Sequence, residues 1–239
     1  MRGSINLKMG KVAIITGGSS DIGVAIVKKF IEEGTKVYSQ YNSNPINLEN
    51  PNLFQIKSDF LKFEEIDSLV EYVLKKESKV DYLVNAAGTI EGQNFLVCSS
   101  EKIENLFQVN LFSHIYLMQK IFPLMLENKF GRIISLSSIG VKYSGSINST
   151  YYSASKSALE SVTRSYAKFG AESNVLCNNI RVGVVDTKIH KNKDLSARTQ
   201  LIPVKRLGRP EDIAGFVLYL CSEKGDFITG QDIAISGGE

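Results

Sequence analysis

Histidine is nearly absent from this chain, with only His114 and His190 in 239 residues, which leaves too few ligands for a His-rich metal centre. Cysteine is scarce too. Cys98, Cys177 and Cys221 are odd in number and widely spaced, so they read as reduced, mostly packed thiols and not as a disulfide or metal framework. There is no tryptophan, and no apolar run approaches the ~20 residues of a membrane span. The N-terminus has no apolar signal core, and the expected location is the cytoplasm. Neither sign of charge dominates: 28 Lys and Arg against 25 Asp and Glu give a net charge of +3, and the basic residues are dispersed. That speaks against nucleic acid as a partner. What remains, at 43% hydrophobic and 22% charged residues, is an ordinary globular composition, long enough for one α/β domain or two small ones.

Residues 1–8 read as a flexible or appended leader, with Met9 as a candidate start. Val12-Ala13-Ile14-Ile15 is then a short, wholly apolar, β-rich run, the pattern of a parallel strand buried on both faces. It breaks into a glycine turn, after which Ile22, Ala25, Ile26 and Phe30 recur at helical spacing up to Gly34. Further strands are expected near Lys36–Gln40, Leu53–Ser58, Tyr82–Ala86, Arg132–Leu136, Cys177–Val182 and Asp232–Ile235. Long helices are expected over Ser100–Met125 and Tyr152–Ala171. Such alternation implies a doubly wound, Rossmann-like α/β fold with seven parallel strands. No linker divides it, so residues 9–239 read as one domain. The polar, aperiodic stretch Lys188–Lys205 is a candidate substrate lid.

The turn Thr16-Gly17-Gly18-Ser19-Ser20-Asp21-Ile22-Gly23 stands between the first strand and first helix, where backbone N–H groups and the helix dipole suit a dinucleotide pyrophosphate. It resembles the Thr-Gly-x-x-x-Gly-x-Gly turn of the short-chain dehydrogenase/reductase family, and the resemblance extends over almost the whole chain. Gly17 and Gly23 match, whereas Asp21 replaces the middle glycine. Asp21 is expected either to cap the helix and face away or to weaken cofactor affinity by repulsion. The resemblance implies cofactor contacts from Gly17, Ser19, Ser20, Asp21, Ile22 and Gly23, and from Asp59 and Phe60 after the third strand. It also implies contacts from Asn85, Ala86 and Gly88 in Asn85-Ala86-Ala87-Gly88, and from Gly183, Val185 and Thr187 after the sixth strand. There Val182 replaces the family's proline, from which an altered hinge is expected. Coenzyme choice falls to Tyr41-Asn42-Ser43 at the end of the second strand. No carboxylate there repels a 2′-phosphate, so NADP(H) is favoured over NAD(H).

A tyrosine four residues before a lysine places phenol and ammonium on one helix face, and this occurs three times: Tyr72/Lys76, Tyr116/Lys120 and Tyr152/Lys156. The family also has a serine 13 or 14 residues earlier. Both Ser58 before Tyr72 and Ser138 before Tyr152 satisfy that spacing. Topology separates them, because the third strand flanks the adenine half of a dinucleotide and the fifth lies under the nicotinamide. Ser138, Tyr152 and Lys156 are therefore the candidate catalytic set. The resemblance adds Asn110 as the holder of a relay water, and has Lys156 also bond the nicotinamide ribose.

Within the family the pattern is most similar to 3-oxoacyl-[acyl-carrier-protein] reductases, which implies a carbonyl–alcohol oxidoreductase. Sugar, steroid and small-alcohol substrates stand as alternatives, and so does a catalytically silent dinucleotide-binding or scaffold protein. Lys129 occupies one position at which that group contacts the acidic carrier protein beside the active site, and Ser173 stands at the other. Enoyl reductases of the family would need lysine at position 159, which is Leu159 here. The resemblance also implies a homo-oligomer, a dimer of dimers.

Overall fold

The computed structural model describes residues 7, 10–90, 92–188 and 194–239. The expected leader other than Leu7, and residues 189–193 of the expected lid, lie outside the described residues. Leu7 itself is buried against the core.

Seven strands form one parallel sheet: β1 Val12–Ile15, β2 Lys36–Tyr41, β3 Leu53–Lys57, β4 Tyr82–Asn85, β5 Gly131–Ser138, β6 Val175–Val182 and β7 Asp232–Ile235. Their order is β3-β2-β1-β4-β5-β6-β7. The chain leaves β1 toward one edge and returns to place β4 on its other side, so the switch point lies between β1 and β4. A crevice opens there above the carboxyl ends of the strands. β1 and β4 are buried at every position, which is why both read as uninterrupted apolar runs.

Helices α1 Asp21–Glu32 and α7 Pro210–Cys221 pack one sheet face; α2 Phe63–Leu74, α4 Ser113–Glu127 and α5 Thr150–Gly170 pack the other. The short α6 Ser196–Leu201 falls within the expected lid, and Ile202 after it is buried. α7 starts at the expected proline, and Asp212 in its first turn accepts from the Arg209 N–H at 2.9 Å.

The helix expected over Ser100–Met125 is not one continuous α-helix. α3 Ser100–Phe107 passes into a π-helical turn, Gln108–Phe112, before α4 begins. The wider turn accommodates one more residue and sets Asn110, fully buried, into the fold. β5 runs two residues past its expected end, so Ser138 is the last strand residue, in register with Val182 of β6. Val182 also pairs with Ile235 of β7. A proline at that position would lack the N–H that the valine brings to the strand.

Candidate active site

The glycine turn is held from three sides. Thr16, fully buried, accepts from the N–H groups of Ala86 and Ala87 at 2.9 and 3.0 Å. Gln40 of β2 accepts from the Gly17 N–H at 2.8 Å and donates to the Ser58 carbonyl at 2.6 Å. Ser20 caps α1, accepting from the Gly23 N–H at 3.1 Å. Gly17 has φ +61°, and a Cβ there would lie 2.7 Å from the Ala87 Cα. A Cβ on Gly23 would collide with the Gly17 carbonyl. Both glycines are thus required by close packing of the turn before any ligand is considered.

Across the switch point, the strip Ala87-Gly88-Thr89 carries the second half of the site. Asn110 clamps it, accepting from the Thr89 N–H and donating to the Thr89 carbonyl, both at 2.8 Å. Its amide also donates to Ser155 Oγ of α5 at 3.2 Å. A methyl group on Gly88 would lie 3.3 Å from both Asn110 Oδ1 and Lys156 Nζ, so these two side chains converge on an exposed backbone strip. Lys156 is buried and donates to the Leu136 carbonyl at 2.9 Å. Burial pushes its ammonium down to about 8. It therefore stays mostly protonated at neutral pH and lies 6.0 Å from the centre of the Tyr152 ring.

Ser138 ends β5 facing the start of α5. Its Oγ accepts from the Gly140 N–H at 3.1 Å, which leaves its own O–H to be donated. A methyl on Gly140 would touch both Ser138 Oγ and Ser153 Oγ, at 3.2 and 3.0 Å, and Ser153 adjoins Tyr152. The other two tyrosine–lysine pairs are engaged elsewhere. Tyr116 and Lys120 both bind the Asp67 carboxylate of α2. Tyr72 lies against Tyr38, and its spaced serine, Ser58, follows β3 at the far edge of the sheet.

The expected coenzyme residues fall along one line. Tyr41 is half-buried at the end of β2, and Asn42 and Ser43 beyond it are exposed. Asp59 accepts from the Leu61 N–H at 3.0 Å, and Phe60 is buried against the imidazole of His114. After β6, Gly208 pairs with the segment Val184–Asp186, burying Val185, while Thr187 stays half-exposed. Lys129 departs from expectation. It sits in the turn before β5, at the opposite end of that strand from Ser138; eight strand residues span about 23 Å. It is not beside the site of its own chain.

A family model described as Enoyl-(Acyl carrier protein) reductase matches residues 17–239. The chain belongs to the short-chain dehydrogenase/reductase family. A 3-oxoacyl-[acyl-carrier-protein] reductase of Buchnera aphidicola is 30% identical over 237 residues, covering 95% of this chain and 96% of that protein. The 7alpha-hydroxysteroid dehydrogenase of Escherichia coli is 32% identical over 251 residues, covering 100% and 98%. Among solved structures, the L-sorbose reductase of Gluconobacter frateurii complexed with NADPH and L-sorbose superimposes with a TM-score of 0.87 at 25% identity, covering 98% and 97% of the two chains. The chain is accordingly an oxidoreductase of a family that uses NAD(P)H, and its relatives of similar identity act on different alcohols and ketones.

The residues present fit a dinucleotide. The α1 N-terminus follows β1 at the switch point, where a helix terminus suits an anionic group, and the turn before it is fixed from three sides. The Asp21 carboxylate does not stand as an isolated charge. It accepts from the Lys188 N–H at 2.6 Å and lies 3.6 Å from the Lys188 ammonium. Of the two sequence expectations, capping of its own helix belongs to Ser20, and Asp21 instead reaches the segment after β6. Because β4 and β5 separate β1 from β6, this contact spans the crevice, a distance of about 14 Å at ordinary strand spacing. Asp21→Gly is therefore expected to speed both association and dissociation of NADPH by about tenfold, measured by stopped-flow fluorescence. Unchanged rates would make the contact incidental.

Thr16 and Gln40 complete the site and were absent from the candidates read from the sequence. Their signal is a polar side chain inside, or ending, an apolar strand. Such groups are buried only with partners, but sequence does not say which.

Proposed function

We propose that this oxidoreductase reduces the ketone of a 3-oxoacyl thioester, with NADPH preferred over NADH and acyl carrier protein as the carrier. The observation that carries the chemistry is the buried Lys156 ammonium, 6.0 Å from the centre of the Tyr152 ring on the same helix. Nearby positive charge stabilises phenolate, so Tyr152 passes its proton to the substrate oxygen at neutral pH. Ser138 donates its O–H to the same oxygen, where negative charge grows. The coenzyme, when bound, supplies the hydride. Asn110 fixes the strip on which the reacting ring would rest, and Lys156 would hold the ribose as well as the phenolate.

The substrate assignment is supported by the rim. Phe95, Leu96, Val97, Tyr143 and Ile147 are exposed apolar side chains. Their segments are joined by the Phe95 N–H to Ile147 carbonyl bond at 2.9 Å and by the Tyr151 hydroxyl donating to the Phe95 carbonyl at 3.3 Å. This hydrocarbon beside Tyr152 suits an acyl chain better than a polyol, whose hydroxyls would lose water without replacement. A steroid ketone is the second reading, favoured by the same rim. Enoyl reduction is disfavoured because Leu159, where that branch requires lysine, is fully buried in the core. NADP(H) is supported by the uncharged end of β2. Phe112 and Phe169, exposed on α4's approach and on α5, support pairing of these helices in a homo-oligomer, and Lys129 could serve a carrier only at the site of another copy.

The test is a titration with NADPH and NADH followed by a panel of acetoacetyl thioesters, steroid ketones and ketoses. Turnover of the thioester with NADPH is expected to lead the panel. Failure to bind either nucleotide would overturn the enzyme reading in favour of a silent scaffold.

A further inference from the structure

His114 belongs to none of the motifs above, yet it is fully buried beneath the coenzyme crevice. Its Nε2 lies 2.9 Å from the Ala87 carbonyl. A carbonyl only accepts, so Nε2 carries the proton and the ring is the Nε2–H tautomer. Nδ1 finds no hydrogen-bond partner among the described residues. Burial first, and the nearby Lys156 ammonium second, push the imidazole down to about 3, so the ring is a neutral donor throughout the physiological range.

The residue it grips packs directly against the glycine turn. The Ala87 N–H is held from the opposite side by Thr16 Oγ1 at 3.0 Å. The Ala87 Cα is the atom that a Cβ on Gly17 would strike, so the position of Ala87 is transmitted directly to the phosphate-binding turn. One helical turn before His114, Asn110 holds Thr89. Thr16, His114 and Asn110 therefore pin the strip at three successive points between the glycine turn and Lys156.

We propose that His114 is a positioning residue for the coenzyme: its Nε2–H fixes the Ala87 carbonyl and so sets the distance between the glycine turn and the Lys156 side of the crevice. The proposal rests on the reading of that crevice as a coenzyme site. It deepens that reading by assigning binding geometry to a side chain that would touch neither coenzyme nor substrate.

The discriminating measurement is NADPH affinity of purified, folded variants, with kcat taken at saturating coenzyme. His114→Leu removes the donor and is expected to weaken NADPH binding about tenfold, the scale of one lost hydrogen bond to a buried carbonyl. kcat should change less than about threefold. His114→Gln places an amide N–H near the Nε2 position and is expected to restore affinity to within about threefold. The shorter His114→Asn should not. Equal affinities for the Leu and Gln variants, or native affinity in the Leu variant, would overturn the proposal. If the Leu variant does not fold, the Gln and Asn variants decide it by the same comparison. NADPH binding by the native protein with indifferent variants sinks this inference alone; no binding by the native protein sinks the coenzyme reading and this one with it.

Discussion

Tyr152→Phe is expected to lower turnover by about 10³-fold or more, within the range attributed to a positioned general acid, while NADPH binds within about threefold of native affinity. The substitution removes one oxygen from a half-buried side chain and leaves Lys156 bonded to the Leu136 carbonyl, so the crevice keeps its shape. Steady-state rates with the best ketone, set beside a fluorescence titration, check both halves. Retained turnover would point to another proton donor. In the native enzyme, carbonyl reduction should fall as pH rises through about 8, because Lys156 loses the proton that stabilises the phenolate.

The largest expected effect on stability lies one turn further along α5. Glu160 is buried and accepts from Ser137 Oγ at 2.6 Å and from Arg181 Nε and Nη2 at 2.8 and 2.7 Å. Arg181→Met would leave that carboxylate buried without its cation, a loss of about 3–5 kcal/mol where one partner of a buried pair is removed. For a domain of this size that is about 6–20 °C in melting temperature. Glu160→Leu combined with Arg181→Met should recover most of it, because the stranded charge is gone. A native-like melt of the single variant would show that water or Arg164, which lies 3.9 Å from Glu160, compensates. The pair also joins α5 to β5 and β6 behind Ser138, so turnover should drop more in the single variant than in the double.

The sheet was legible because parallel strands buried on both faces leave continuous apolar runs; β1, buried at every position, ends where its run ends. The π-helical turn was not legible, since Gln108–Phe112 keeps helical spacing on both sides and nothing local marks the inserted residue. It forms where Asn110 can reach both backbone groups of Thr89, a contact between residues 21 apart. Likewise, spacing alone left Ser58 and Ser138 equal, and the strand order separated them. Lys129 shows the opposite failure: a position taken from resemblance lies at the wrong end of its strand within one chain.

Sequence by itself determined the fold class, the location of the glycine turn, and the short set of tyrosine–lysine pairs and spaced serines from which the candidates are drawn, because each is written in periodicity or in short-range spacing. Only the tertiary structure decided where the polar groups with distant partners point. Asp21 reaches Lys188, Gln40 holds Gly17, and His114 holds Ala87. A buried polar side chain must find a partner, but which one depends on strands and helices that meet only in the folded chain. Histidine, too scarce for a His-rich metal centre, supplies through His114 a buried donor whose partner is visible only there.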